Sequence, residues 1–154
     1  MDIKKEFMQK AIGVGKESFS NGDYAIGVVI VKDNNVISTG KSKIRVNKNA
    51  ILHSEIVAIS EACKNLNSKF LEGCILYSTH EPCSMCASAA VWTKMKGVVF
   101  GTTIQDAKDN STNNFSWRQI DIKCREVLNK GTPRVELAEE FMREECNKLF
   151  ELTK

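Results

Sequence analysis

The amino-acid sequence predicts an α/β fold, a three-layer α-β-α sandwich built around a mixed sheet. Short β-branched runs alternate with segments whose apolar residues recur at helical intervals, which is the pattern of a sheet covered by helices. The chain has 154 residues, of which 42% are apolar, and this is enough for one compact core. We therefore expect residues 1–154 to form a single domain.

The N-terminal half contains four predicted elements and one loop. Residues 3–20 have apolar side chains at helical spacing and end at the turn signal NGD, so they predict a helix. The β-branched runs 25–32 and 36–40 flank the short polar turn DNN and predict a β-hairpin. Residues 41–50 are polar without periodicity and predict a loop, whereas residues 52–66 again show a helical apolar face.

The C-terminal half continues the alternation of strands and helices. Pro82 supports a helix that starts beside it, because proline is favoured at the first helical position, and Gly131 is expected to end a helix. The predicted elements are, in chain order, strand 74–80, helix 83–95, strand 97–101, a polar loop or broken helix at 105–115, an amphipathic helix at 116–131, strand 134–137 and a final helix at 138–150.

Charge and hydropathy argue against two classes of protein. The chain has 22 basic and 19 acidic residues, a net charge of +3, and the charges are scattered rather than gathered into the basic stripe of a strong nucleic-acid binder. No stretch approaches the length that crosses a bilayer, and the N-terminus lacks the continuous apolar region of a signal peptide. We expect a cytoplasmic protein that binds no membrane, and the charge pattern gives no indication of a nucleic-acid partner without ruling one out.

The six cysteines fall into two groups. Four of them stand singly inside apolar helix or strand patterns, where cysteine acts as a small hydrophobic residue; they are Cys63, Cys74, Cys124 and Cys146. Cys83 and Cys86 instead form a Cys-x-x-Cys pair, which suits either a redox couple or half of a tetrahedral zinc site. Reduced thiols are expected throughout, since a chain of this size needs no disulfide staples.

A histidine and a glutamate favour the zinc interpretation of this pair. His53 and Glu55 fall in the first turn of one predicted helix, and Cys83 and Cys86 fall in the first turn of the next. Three such ligands would leave the fourth zinc position for water, as in catalytic zinc sites. A structural zinc module is the alternative, and it requires a fourth ligand.

The nearest candidates for that fourth ligand are His80 and Cys74, although His80 also reads as the plain end of a strand. In the catalytic interpretation, Glu55 could take a proton from the water and return it to a leaving amine. Zinc lowers the pKa of bound water to about 7. The reaction that this chemistry suits is hydrolytic attack on an sp² carbon bearing an amino group.

The order H-x-E…P-C-x-x-C is the known signature of zinc deaminases. Around it, the chain resembles the cytidine deaminase-like superfamily, in the branch of guanine deaminases, yeast-type cytosine deaminase and bacterial tRNA adenosine deaminases. The similarity runs through GVVIVKDNNVISTG, LHSEIVAI, EPCSMC and VVFG and so covers nearly the whole chain. It implies a five-stranded sheet flanked by helices, and subunits that pair as homodimers. It further implies zinc bound by His53, Cys83 and Cys86, with Glu55 as proton shuttle.

Within that branch, the stretch EPCSMCASAAVWTKMKGVVFGTTIQDAKD is most similar to guanine deaminases, including Trp92 six residues after the second cysteine. Two positions depart from their pattern. An asparagine that contacts the base is replaced by Ser42, and a gapless alignment puts Asn114 where guanine deaminases use an aspartate. An asparagine edge offers one acceptor and one donor, which suits a base other than guanine.

These three residues also have purely structural interpretations. Ser42 can be a loop residue and Asn114 a turn former, while Trp92 is expected to pack in the core, at a place where it can also touch the pocket. The resemblance implies a hydrolytic deaminase that acts on a nucleobase or nucleoside, namely guanine or a related heterocycle such as cytosine or guanosine. The alternatives are a tRNA-specific adenosine deaminase and a non-catalytic, zinc-stabilised binding domain.

Overall fold

The computed structural model describes residues 1–112 and 120–153, which form a mixed sheet of five strands with helices on both faces. The predicted three-layer α/β architecture is confirmed. The helices and strands are, in chain order, α1 (Lys5–Ser20), β1 (Gly27–Lys32), β2 (Asn35–Lys41), α2 (Ser54–Leu66), β3 (Ile75–His80), α3 (Ser84–Trp92), β4 (Gly97–Thr102), α4 (Ile104–Asp109), α5 (Cys124–Leu128), β5 (Glu136–Ala138) and α6 (Arg143–Asn147). A 3₁₀ helix (Lys148–Thr153) follows α6.

The strand order is β2-β1-β3-β4-β5. Strand β1 is antiparallel to both β2 and β3, whereas β3, β4 and β5 run parallel to one another. His80 at the end of β3 pairs with Thr102 at the end of β4. The carboxyl ends of these two parallel strands therefore meet at one edge of the sheet, which is where open α/β sheets bind their ligands.

The two faces of the sheet bury different sets of side chains. Val28 and Val98 point into a core formed with α2, α3 and α5, while their neighbours Val29 and Val99 point into a second core formed with α1 and α6. Strand β4 is buried along its whole length, as expected of a strand covered on both sides.

The β1–β2 hairpin was predicted correctly, and its turn shows why. Asp33 and Asn34 both adopt left-handed backbone conformations, with φ values of 50° and 62°. Two consecutive residues with positive φ match the twist of an antiparallel hairpin, and aspartate and asparagine tolerate that conformation best among side chains larger than glycine.

The predicted long helix at 116–131 is wrong in its described part. Helix α5 covers only Cys124–Leu128, residues 120–123 are not helical, and residues 113–119 lie outside the described part of the chain. Ile120 and Ile122 are exposed by 61% and 40%. Side chains two positions apart cannot share one helical face, so these isoleucines do not extend the buried stripe of α5.

The final helix is also shorter than the prediction of 138–150. Residues Glu140 and Met142 have φ values of 58° and 54°, and left-handed residues break a right-handed helix. The chain becomes helical only at Arg143, and Leu149 and Phe150 are buried in the following 3₁₀ segment as expected. Within the described residues, no helix combines the length and the apolar character that a bilayer span requires.

Candidate metal centre and active site

Helices α2 and α3 both begin at the carboxyl end of β3. His53 is the N-cap residue of α2, and Cys83 is the N-cap residue of α3. The start of α2 is fixed against the sheet, because the Ser54 hydroxyl donates a hydrogen bond of 2.6 Å to the Ile26 carbonyl. Gly40 of β2 allows this approach, since a Cβ there would collide with the Ser54 carbonyl oxygen.

The three predicted metal ligands converge at this point. His53 Nδ1 lies 3.6 Å from Cys83 Sγ and 3.6 Å from Cys86 Sγ, and the three ligand atoms all lie within 4.8 Å of one another. Tetrahedral zinc with ordinary Zn–S and Zn–N bonds separates a nitrogen and a sulfur ligand by about 3.6 Å. The spacing and the donor atoms therefore fit zinc.

Among the described residues, the metal-ligand group has three members. His80, a proposed fourth ligand, bonds through Nδ1 to the Thr102 hydroxyl at 3.0 Å. Cys74, the other candidate, precedes β3 and so lies at the opposite end of that strand from Cys83. A three-residue group leaves one position of a tetrahedral ion open to water, as in catalytic zinc sites.

Glu55 lies directly beside the metal ligands. Its side chain is 4% exposed, its Oε1 accepts a hydrogen bond of 3.1 Å from the Ser78 hydroxyl, and its Oε2 accepts one of 3.6 Å from the Cys86 thiol. Burial raises the pKa of Glu55 above its usual value. A raised pKa makes this carboxylate a stronger base than an exposed glutamate, which suits it to accept and return a proton.

The two ligand thiols have pKa values that are shifted in opposite directions. A hydrogen bond with Cys86 lowers the pKa of Cys83 to about 4, and a hydrogen bond with Cys83 raises the pKa of His53. The thiolate form of Cys83 is therefore favoured beside His53, while the same Cys83 contact raises the pKa of Cys86. Cys86 needs the metal to lose its proton.

None of the remaining cysteines forms a disulfide in the structure. Burial raises the pKa of each of these thiols, which are Cys63, Cys74, Cys124 and Cys146. Three of them are buried and Cys63 packs at the edge of the core, so they behave as small apolar residues.

Sequence reasoning missed the role of Glu81 beneath the centre. This residue is 5% exposed, and its carboxylate accepts backbone N–H bonds of 2.8 Å from Ile104 and 3.1 Å from Cys124. It thus ties the starts of α4 and α5 to the segment that delivers Cys83. One feature of the sequence could have indicated this role. An acidic residue stands between a buried strand and Pro82, where a side chain is not expected to be exposed to solvent, so it needs hydrogen-bond donors inside the protein.

The chain's own C-terminal segment packs against this edge of the sheet. The Phe150 ring lies edge-on to the ring of His80, with centroids 6.0 Å apart, and burial lowers the pKa of His80 to about 4. Arg143 forms two hydrogen bonds with Asp106, at 2.9 and 2.7 Å. The segment that follows β5 is therefore fastened to α4 within the same subunit.

The three residues suggested for substrate contact have different surroundings. Ser42 is buried, and its hydroxyl donates a hydrogen bond of 2.6 Å to Asp23 Oδ1. Asn114 lies outside the described residues. The expectation that Trp92 packs in the core is wrong, because its side chain is 80% exposed.

The geometry of α3 explains the exposure of Trp92. The helix buries Cys86, Ala87 and Ala90, and Trp92 is rotated by about 200° from Ala90 around the helix axis. Trp92 also ends the helix, roughly 13 Å along the axis from Cys83. An exposed aromatic at that distance does not line the metal centre of its own subunit.

Comparison with known proteins agrees with this centre. The family model for the cytidine and deoxycytidylate deaminase zinc-binding region matches residues 1–102. A tRNA-specific adenosine deaminase from Aquifex aeolicus is 40% identical over 97 residues, which cover 63% of this chain and 64% of that enzyme, slightly less than two thirds. The guanine deaminase of Bacillus subtilis is 33% identical over 117 residues, covering 75% of each protein.

A solved structure of a tRNA:A34 deaminase has the same fold, with a TM-score of 0.76 and 23% identity over 95% of this chain and 99% of that one. The matched family region contains all four residues of the centre, namely His53, Glu55, Cys83 and Cys86. The chain belongs to the zinc-binding cytidine and deoxycytidylate deaminase family.

Proposed function

We propose that this protein is a hydrolytic deaminase that removes an exocyclic amino group from a nucleobase or nucleoside, guanine or a related amino-heterocycle, and releases ammonia. The observation that carries the proposal is the position of Glu55. It is buried beside a three-residue zinc group that leaves one coordination position open. A purely structural zinc site has no use for a buried carboxylate there, because such burial costs free energy.

Each residue of the centre has a distinct role in this proposal. His53, Cys83 and Cys86 hold the zinc, which supplies an activated water when it is bound. Glu55 carries one proton from that water to a ring nitrogen and another to the departing amine. A C–O bond forms, the C–N bond breaks, and the products are the oxo-heterocycle and ammonia. Ser78 orients the carboxylate through its hydrogen bond to Oε1.

The 33% identity with a guanine deaminase supports a free base or nucleoside as the substrate, although the length of the alignment does not separate this candidate from a tRNA substrate, because tRNA-specific adenosine deaminases align over 144 and 149 residues. The departure at Asn114 favours an amino-heterocycle whose hydrogen-bonding edge differs from that of guanine. We further propose that residues 1–154 act as one catalytic unit and that two copies associate. The 80% exposure of Trp92 supports a protein contact at that face, since tryptophan is enriched at interfaces.

A tRNA substrate is the second candidate, and one feature favours it. The loop before α2 exposes Lys43, Arg45 and Lys48, and no acidic residue occurs between Asp33 and Glu55. Such a local cluster of cations beside the centre can contact phosphates. Binding of tRNA that weakens steeply as salt concentration rises would favour this candidate over a free base.

The experiment that tests the proposed function is ammonia release by the zinc-loaded protein against a substrate panel. The panel contains guanine, cytosine, adenine, their nucleosides, related amino-heterocycles and an unmodified tRNA. We expect release from at least one base or nucleoside. Release from tRNA alone would establish the second candidate. No release from any substrate, together with a metal shell of four protein ligands in X-ray absorption, would establish a non-catalytic zinc domain instead.

A further inference from the structure

A buried carboxylate organises the loop that leads to the metal centre. Asp23 is 2% exposed, and it accepts four hydrogen bonds, one from its neighbour Tyr24 and three from the loop of residues 42–46. Its Oδ1 accepts from the Tyr24 backbone N–H at 2.9 Å and from the Ser42 hydroxyl at 2.6 Å. Its Oδ2 accepts from the backbone N–H groups of Arg45 and Val46, at 2.9 and 3.0 Å. All four bonds are made to a group that carries a charge, which makes them individually strong.

Further contacts reinforce this anchor. The Ser18 hydroxyl donates to the Tyr24 carbonyl at 2.6 Å and accepts from the Ser42 backbone N–H at 3.2 Å. The Arg45 guanidinium lies 5.0 Å from the centre of the Tyr24 ring, within range of a cation–π contact. The end of α1 and the beginning of the loop are therefore fixed to each other.

The anchor is connected to His53 by backbone hydrogen bonds. The Lys43 N–H donates to the Leu52 carbonyl at 3.1 Å and so joins the two ends of the loop. Leu52 immediately precedes His53, whose N–H donates to the Ile51 carbonyl at 2.9 Å. A displacement of residues 42–46 would thus be transmitted over one hydrogen bond to the residue before the zinc ligand.

The same geometry determines which acceptor receives the proton of the Ser42 hydroxyl. The short bond to Asp23 directs that proton to the carboxylate, so the hydroxyl has no donor left for a substrate.

We propose that Asp23 is a positioning residue of the deaminase, which holds the loop of residues 42–52 in the conformation that places His53, and that Ser42 acts through Asp23 rather than as a hydrogen-bond donor to the substrate. The expected effect of Asp23 on activity rests on the proposed function, whereas its role in holding the loop does not.

The loop is tested first, by trypsin. Lys43, Arg45 and Lys48 are exposed cleavage sites inside the anchored segment, and cleavage of a folded loop follows the population of its open form. In the zinc-loaded protein, Asp23→Ala should accelerate cleavage within residues 43–48 at least about tenfold. Glu61→Ala, which removes an exposed carboxylate from α2, should leave the rate unchanged. Equal rates in the two variants would overturn the proposal.

A milder substitution covers the case in which Asp23→Ala does not fold. Ser42→Ala removes one of the four bonds to the carboxylate and should accelerate cleavage by a smaller factor, while Asp23→Asn should fall between Asp23→Ala and the parent protein. Unchanged cleavage in both milder variants would contradict an anchoring role for this pair.

Activity then separates the two roles of Ser42. If Ser42 acts through Asp23, the double variant Asp23→Ala/Ser42→Ala should have the same kcat/KM as Asp23→Ala, since the losses of coupled residues do not add. If Ser42 instead donates to the substrate, Ser42→Ala should raise KM with unchanged trypsin cleavage, and the two losses should multiply. The latter result would overturn the assignment. Failure of the deaminase proposal itself would appear differently, as inactivity of the parent protein with its trypsin pattern intact.

Discussion

The Cys86 thiol donates a hydrogen bond to the carboxylate of Glu55, with 3.6 Å between Sγ and Oε2. This contact joins a metal ligand to the proposed proton shuttle. When zinc binds, Cys86 gives up its proton, and Glu55 loses that donor while keeping the Ser78 hydroxyl at Oε1. Metal loading and the preparation of Glu55 for proton transfer are therefore coupled in this site.

Replacement of a ligand should remove the metal. We expect Cys83→Ala to reduce zinc content from about one ion per chain to near zero, because a tetrahedral site with two protein ligands binds zinc weakly. Metal analysis after dialysis measures this directly. Cys63→Ala is the matched control, since it deletes a thiol that packs at the edge of the core. Full zinc content in Cys83→Ala would show that this cysteine is not a ligand.

Zinc binding should release protons to an extent that depends on pH. Cys83 has a pKa of about 4 and is already a thiolate at neutral pH, whereas the raised pKa of Cys86 makes that thiol release a proton. The pKa of His53 is raised as well, so this residue must also lose a proton at lower pH. Calorimetry in buffers of different ionisation enthalpy should give at least one proton, from Cys86, and a number that increases as pH falls. Binding without proton release would contradict this scheme.

The buried carboxylate of Glu55 should cost stability in the metal-free protein. Its pKa is raised on folding, mainly by burial, so the folded state binds the proton more tightly than the unfolded state. The ionised side chain therefore destabilises the fold progressively as pH rises through that pKa. We expect Glu55→Gln to raise the melting temperature of the apoprotein at pH 8 and to change it less at pH 4. A lower melting temperature at pH 8 would show that the ionised carboxylate stabilises the fold.

The pair formed by Arg143 and Asp106 should support stability above acidic pH. Hydrogen bonding to Arg143 lowers the pKa of Asp106 from 3.8 to about 2, so its contribution is present above pH 4 and is lost as pH falls towards 2. Arg143→Met should lower the urea midpoint of unfolding at pH 7, because it leaves the buried Asp106 carboxylate without its charged partner. This difference should shrink near pH 2.

Arg125→Met provides the control for that variant. Its guanidinium pairs with Glu139 at the surface, where an ion pair contributes at most about 1 kcal/mol. Equal losses in the two variants would mean that Arg143 fastens the C-terminal segment no more firmly than a surface pair.

The parts of the fold that were predictable are set by local physics. The hairpin follows from two residues that accept positive φ, and the four residues of the centre follow from motifs confined to the first turns of two helices. The start of a helix determines the direction in which its first side chains point. The spacing of these four residues along the sequence therefore predicted that their side chains meet.

The parts that were not predictable depend on distant contacts. The surface position of Trp92 is decided by which side of an alanine-rich helix faces the sheet, and a helix that is apolar all round carries no such signal. The bond between Asp23 and Ser42 joins residues 19 positions apart. Glu81 likewise bonds to backbone groups 23 and 43 positions away, so the local sequence could indicate that Glu81 is buried but could not identify the partners of either residue.

The most direct test of the central claim is to measure turnover and zinc content on the same preparation of Glu55→Ala, using the best substrate of the panel. We predict an unchanged zinc content of about one ion per chain and a loss in kcat of about 10²–10⁴-fold or more, because a general acid and base is removed while every ligand remains. A zinc-loaded Glu55→Ala protein that keeps the turnover of the parent would contradict the account.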